Sequence, residues 1–331
     1  MKELKRQMKE KTFCPCYLFY GSEGYLKKTY AAKMKATMIE ESAELMNFDC
    51  FEDKKIAIST LLDTAETMPF LSEKRLVMVK NSGLFRTGRK EDSEKMADYL
   101  ANIPESTCIL FIEEEIDKRG RLYKAVGKNG YVVEFKPLSE KDLMVWIGRE
   151  CKKNNLKMDG ATASYLIRTV GGDMENLVRE MAKLGAFAGE GGSVSNQDVD
   201  EICIKSLETK IFDLVGALGG GKTKEAVTIY RNLLMMKESP LMVLSMLSRQ
   251  FRIILQCKTL LEAGETQSGI GHRTGLRDFV VRESLRQGKN FSIKRLKEGL
   301  DDCLQTDVNI KTGRMQGELA VEVLIIKYGG R

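Results

Sequence analysis

A chain of 331 residues, 43% hydrophobic and 30% charged, holds enough apolar material for two or three domains each with its own core, which excludes disordered and fibrous classes. Its formal charge of +6 is small against 53 basic and 47 acidic groups, so nucleic-acid contact is permitted but not demanded. No window approaches about 18 uncharged apolar residues and the charged N-terminus leads into no apolar run of secretory length, so a cytoplasmic protein without a membrane segment is expected.

In chain order, Tyr17-Leu18-Phe19-Tyr20 reads as a buried first strand, and Gly21-Ser22-Glu23-Gly24 as a turn into a helix over residues 25–39. Strand, glycine turn and helix are the layout of a phosphate-binding loop. Such a loop ends in Gly-Lys-Ser/Thr, with the lysine on the terminal phosphates and the hydroxyl on magnesium. Here Gly24 is followed by Tyr25-Leu26-Lys27, so the layout is kept without its chemistry. Residues 46–51 are a second strand.

Ile58, Leu61, Leu62 and Ala65 then recur at helical spacing, and Leu76-Val77-Met78-Val79 is a short apolar strand. Between them stands Met68-Pro69-Phe70-Leu71. Pro69 cannot continue the helix and biases Met68 toward an extended conformation, which puts Phe70 and Leu71 on a connection. Two readings are open: the pair folds back over its own core, or it anchors in a pocket of another protein. Burying a Phe and a Leu is worth roughly 3 to 6 kcal/mol before ordering costs, enough to matter in either role.

Residues 81–92 read as a loop and 94–101 as a short helix stopped by Pro104. Residues 107–115 form a buried strand with Glu113, Glu114 and Glu115 at its exit. In ATPases of this layout a carboxylate there serves magnesium; with no lysine on the loop upstream, a surface role is expected. A helix opening at Asp117-Lys118-Arg119 and a strand over residues 131–135 complete an α/β doubly wound parallel sheet, with ligand and partner contacts at the strand ends. From Ser139 the pattern is wholly helical. Leu143, Trp146, Ile147 and Cys151 share a stripe, and Gly171-Gly172-Asp173 makes a turn and cap into a helix over residues 174–187.

Gly216-Ala217-Leu218-Gly219-Gly220-Gly221-Lys222-Thr223 satisfies the letters of a P-loop in full. A P-loop follows a strand, however, whereas Ile211, Leu214, Val215 and Leu218 recur at i, i+3, i+4 and i+7, a helix ending at a glycine cap. The alternative of a P-loop NTPase using Lys222 and Thr223 stays open at this point, as does a site remodelled around Lys27. A third possibility is a DNA-binding module in the basic C-terminal helices. Amphipathic segments over 225–236, 240–260, 279–287, 293–306 and 319–327 make the last 120 or so residues a helical bundle.

Metal and acid-base chemistry find little material. The single histidine, His272, has no cysteine or carboxylate at ligand spacing, which closes Ser/His/Asp and Cys/His arrangements. The eight cysteines include no Cys-x-x-Cys pair, and Cys14-Pro15-Cys16 lacks further ligands, so they read as reduced thiols and no cofactor or metal is expected.

Pro69-Phe70-Leu71-Ser72-Glu73-Lys74-Arg75-Leu76-Val77 resembles the segment by which delta subunits of bacterial DNA polymerase III clamp loaders grip the sliding clamp. The resemblance extends over nearly the whole chain. Residues 17–25 are similar to the family's opening strand and degenerate loop, and residues 143–146 with Gly172-Asp173-Met174-Glu175 to its lid. Ile211-Phe212-Asp213-Leu214 is similar to the start of its third domain, and residues 306–313 to its last-helix signature. The resemblance implies an AAA+-like α/β domain over 1–140, a helical lid over 141–208 and an all-α collar over 209–331. It implies a non-catalytic subunit of the polymerase III holoenzyme that does not hydrolyse ATP, with Met68, Pro69, Phe70 and Leu71 as clamp-binding residues. The implied partners are the sliding clamp (beta subunit), other clamp-loader subunits through the collar, and primed DNA within the complex. One departure is Pro69, which stands where some members carry a second large apolar residue, so Met68 and Leu71 both remain candidates for that contact.

Overall fold

Strand side chains alternate between two faces, and in this chain both faces are covered by helices. In the computed structural model, which describes residues 1–52 and 56–330, five strands form one sheet. They are β1 (Cys16–Tyr20), β2 (Phe48–Phe51), β3 (Arg75–Lys80), β4 (Thr107–Glu113) and β5 (Tyr131–Glu134), in the order β2-β3-β4-β1-β5. Every pairing is parallel: Leu18 lies opposite Phe111 on one side and Val132 on the other, and Phe48 lies opposite Leu76.

Parallel pairing requires crossovers, supplied here largely by helices. These are α2 (Gly24–Met38), α3 (Glu44–Asn47), α4 (Ile58–Glu66), α5 (Lys90–Tyr99) and α6 (Arg121–Asn129), while α1 (Lys2–Glu10) precedes β1. One face of the sheet presents Leu18, Val77, Val79, Ile109 and Phe111 to α4, α5 and α6 through Leu61, Met96 and Val126. The other presents Tyr17, Phe19, Leu76, Leu110 and Val133 to α1 and α2 through Leu4, Ala31 and Met34. The doubly wound parallel sheet expected from the sequence is therefore the fold of Met1–Pro137, a compact unit by itself.

Local chemistry moved several boundaries. Helix α1 was not expected, because its nine residues are mostly charged; it is held by buried Leu4 and by Gln7, whose side-chain oxygen accepts from the Tyr17 hydroxyl at 2.9 Å. Met46 and Asn47 belong to α3 rather than to the second strand. Helix α5 begins at Lys90, four residues early, with Glu91 and Asp92 in its first turn where carboxylates favour the helix dipole. Helix α6 begins only at Arg121, because the Asp117 carboxylate accepts from the Arg119 N–H and closes a turn first.

The second unit runs from Leu138. Helices α7 (Glu140–Lys153), α8 (Gly160–Val170), α9 (Met174–Ala188) and α10 (Asn196–Ile202) each start on a side-chain cap: Ser139, Asp159, Asp173 and Ser195 accept from backbone N–H groups of the first turn. The expectation that this stretch is wholly helical was wrong in one respect. Strands β6 (Lys157–Met158) and β7 (Ser193–Val194) pair in parallel, and two residues are too few to show an alternation in sequence.

Helices α11 (Leu207–Gly219), α12 (Thr223–Met235), α13 (Pro240–Glu262), α14 (Gln267–Thr274), α15 (Asp278–Gly288), α16 (Ile293–Lys311) and α17 (Gly317–Gly329) complete the chain. The long α13 packs against α11, α15, α16 and α17 around Leu214, Leu247, Phe251, Leu296 and Ile325. Helix α14 escaped the sequence reading because Gly269 and Gly271 lower its propensity. Among the described residues no helix is long and apolar enough to cross a membrane.

Candidate functional site

Ligands of open α/β sheets bind beyond the carboxyl ends of the strands, and there the glycine turn after β1 is bonded to the chain's own groups. Gly21, at φ +114°, allows an approach to the Phe135 carbonyl that a Cβ would reduce to 2.3 Å. Two N–H groups of the turn are spent on protein: Gly21 donates to Glu114 O at 3.2 Å and Glu23 to Phe135 O at 3.1 Å. Lys27 is buried, and its ammonium donates to the Glu113 carbonyl at 2.9 Å. Burial pulls its pKa down, while Glu114, Glu113 and Glu23 act in the opposite direction. One sequence expectation is corrected here: Glu113 is buried and has no surface role.

The Glu113 carboxylate lies inside the domain and accepts from the Ser82 N–H at 2.9 Å and the Ser82 hydroxyl at 2.6 Å. Its pKa is raised by burial, against the lowering effect of those two bonds. It thus holds the loop after β3 to the end of β4. Glu114 and Glu115 are exposed, and Glu115 pairs with Arg86 at 3.2 Å.

The P-loop letters at residues 216–223 are a helix cap. Gly220, Gly221 and Lys222 donate their N–H groups to the carbonyls of Gly216, Leu218 and Ala217, at 3.0, 3.2 and 2.9 Å, so these are not turned toward a phosphate. Gly221 takes φ +70°, and Lys222 reaches along α12 to Glu225 at 3.0 Å. No strand precedes the turn; α11 does. His272 is exposed on α14, and among the described residues no group of three His, Cys, Asp or Glu side chains could hold a metal ion.

At the amino ends of the strands the surface has a different character. Helix α4 stops at Glu66 and β3 starts at Arg75, so Met68, Pro69, Phe70 and Leu71 lie on the connection, as the sequence suggested. Met68 is 83%, Phe70 55% and Leu71 88% exposed, and Pro69 is half-buried. In this fold Phe70 and Leu71 do not close over their own core. Two buried polar side chains hold the backbone in place. The Asn47 amide donates to Phe70 O at 2.8 Å, and its oxygen accepts from Phe70 N–H at 2.6 Å. Arg75 donates from Nη1 to Met46 O at 2.9 Å and pairs through Nη2 with Asp49 at 2.5 Å. Leu71 sits at φ +49°, a left-handed conformation that costs an ordinary residue roughly 1 to 2 kcal/mol and is kept only where its surroundings fix it.

Asn47 and Arg75 were missed as site residues. Asn47 looked like part of a strand, and the only signal from Arg75 was a lone charge at the start of an apolar run, with Asp49 as an available partner one strand away.

Fold and site together define a doubly wound parallel α/β protein whose glycine turn after β1 is bonded to the chain's own carbonyls and whose opposite sheet end carries an apolar loop held by Asn47. A family model for the DNA polymerase III delta subunit matches residues 17–136, and a model for the C-terminal domain of that subunit matches residues 208–328. The DNA polymerase III subunit delta of Bacillus subtilis is 27% identical over 97% of this chain and 95% of its own length. A probable DNA polymerase III subunit delta of Aquifex aeolicus is 23% identical over 87% and 82%. A solved structure, the Bacillus subtilis DNA clamp loader delta protein, superposes with a TM-score of 0.68 at 26% identity, covering 100% of this chain and 99% of the other. The chain belongs to the DNA polymerase III delta subunit family.

The buried carboxyl of Glu113 gives a pH test of the filled site. Its folded-state pKa lies above the ordinary 4.5, so the stability it contributes is full below 4.5 and lost as pH rises through the raised value. Urea melts of the wild type and Glu113→Gln will show the glutamine variant gaining on the wild type between pH 4.5 and neutral pH. A difference that stays constant over that range would contradict the burial.

Proposed function

We propose that this chain acts in clamp loading: it binds a sliding clamp through Met68, Pro69, Phe70 and Leu71 and opens it for loading on primed DNA in replication. It hydrolyses no ATP itself. The observation that carries this reading is the apolar loop whose backbone is locked by Asn47 while its large side chains stand in water. Exposed apolar side chains on a rigid loop lose little ordering entropy on docking, which is what an anchor residue requires. Membership of the delta subunit family supports the same reading, and the Bacillus subtilis relative of known structure is described as a DNA clamp loader protein.

The mechanism follows from linkage. A ligand that binds an opened ring more tightly than a closed one shifts the ring's population by that difference in affinity and by nothing else. Such work needs no turnover in this subunit. Lys27, turned onto the Glu113 carbonyl, and the spent N–H groups of Gly21 and Glu23 suit a domain that has given up nucleotide chemistry. The P-loop NTPase alternative at Lys222 and Thr223 is disfavoured by the cap geometry there.

The proposed division is an AAA+-like domain over 1–140, a helical lid over 141–208 and a collar over 209–331 that joins the other clamp-loader subunits. The C-terminal family model starts at residue 208, and α11, α12, α13, α16 and α17 share one core, with a smaller cluster of Ile253, Cys257, Ile270 and Val281 beside it. Helix α17 is apolar on two sides: Val321, Leu324 and Ile325 enter that core, while Leu319, Val323 and Ile326 are exposed, as are Leu304 and Val308 on the adjoining α16. A helix that is hydrophobic all round is normally covered.

Replacing Phe70 and Leu71 by alanine will weaken binding to the clamp by at least about 2 kcal/mol, roughly thirtyfold in Kd, with unchanged circular dichroism. Retained affinity would remove the proposed anchor. On gel filtration with the other loader subunits, a Val323→Ser, Ile326→Ser variant will elute free of the assembly yet still bind the clamp. Normal co-elution would place the subunit contact elsewhere.

A further inference from the structure

The amino ends of β2 and β3 carry a second exposed apolar element beside the loop of residues 67–74. Helix α3 is a single turn leading into β2, and its Leu45 is 97% and Met46 56% exposed. β2 and β3 are hydrogen-bonded neighbours, so the segments before them, residues 40–47 and 67–74, emerge side by side. Asn47 and Arg75 then tie the two together. The Asn47 side chain engages both backbone groups of Phe70, and the Arg75 guanidinium holds Met46 O and Asp49. An isolated exposed leucine needs no explanation; Leu45, Met46, Met68, Phe70 and Leu71 on two segments pinned to each other do.

We propose that Leu45 and Met46 form a second anchor that seats on the same partner as Phe70 and Leu71, so that the interface with the sliding clamp is a two-segment apolar patch rather than a single wedge. This rests on the reading of the wedge as the clamp-binding element. Within 40–47 and 67–74 the charged residues are Glu40, Glu41, Glu44, Glu73 and Lys74; Glu44 is paired with Lys35, Lys74 reaches the Glu105 carbonyl, and Glu40, Glu41 and Glu73 are exposed. A predominantly acidic rim fits an apolar pocket bordered mainly by basic groups, which would speed encounter and fix orientation. The anchor also accounts for the buried Asn47. A second segment adds affinity only if it is held in register with the first, and two hydrogen bonds to one residue of the wedge do that.

Binding of the full chain to the immobilised clamp of the same organism, followed in real time, tests this with two variants. Leu45→Ser with Met46→Ser leaves the core untouched, since both side chains are exposed, and thermal melting checks that the fold is kept. The expected result is a Kd weakened by roughly ten- to a hundredfold, mainly through faster dissociation, with Phe70→Ala plus Leu71→Ala weakened further. If the Phe70/Leu71 variant loses binding and the Leu45/Met46 variant matches the wild type, the second anchor is overturned and the wedge stands. If neither variant changes the affinity, the wedge reading falls and the anchor with it.

Discussion

The structure depends on the bond pair between the Asn47 side chain and the backbone of Phe70. A connection containing Met, Pro, Phe and Leu would ordinarily collapse onto the nearest apolar surface, because burial of each large side chain is worth about 1.5 to 3 kcal/mol. Asn47 prevents this by fixing the backbone rather than the side chains: one amide satisfies both the N–H and the C=O of Phe70 from a buried position. Arg75 adds a second tie, between the start of β3 and the turn before β2. The left-handed Leu71 is kept in that frame, with its side chain in water. The strain is local, and it is offset by polar bonds made inside the domain.

The other end of the same sheet shows the reverse arrangement. Where a nucleotide-binding relative of this layout would leave backbone N–H groups and a lysine free, Gly21, Glu23 and Lys27 are bonded to Glu114, Phe135 and Glu113 carbonyls. The turn after β1 is thereby stabilised without a ligand, and Lys27 and Glu113 become part of the core. A domain whose β1 turn is bonded to its own carbonyls and whose apolar side chains are exposed at the amino ends of β2 and β3 is suited to act by contact. Its effect on a partner would be set by the difference in affinity for two shapes of that partner.

The fold was most legible in the sequence where apolar periodicity was long and reinforced. The five strands, their parallel crossover pattern and the helices of the C-terminal bundle follow from apolar spacing, and the place of Phe70 and Leu71 on a connection follows from Pro69 interrupting it, whereas their exposure was legible only in the structure. At residues 216–223 the context, Ile211, Leu214, Val215 and Leu218 at helical spacing, pointed to a helix and not a strand, and the cap geometry of the structure agrees with it. What escaped was set by tertiary contact. Asn47 and Arg75 owe their roles to partners across two strands, Glu113 to a serine on another loop, and Lys27 to a carbonyl 86 residues away. Helix α1 and the pair β6 and β7 were illegible because neither is long enough, or apolar enough, to declare a period.

Ring opening by this chain alone is the most direct measurement. A sliding clamp carrying a donor and an acceptor fluorophore across one subunit interface, titrated with the wild-type chain in the absence of any nucleotide, should lose energy transfer in a saturable, stoichiometric manner. Energy transfer that stays constant at saturating protein, or that falls only when ATP is added, would contradict a subunit that opens the ring by binding alone.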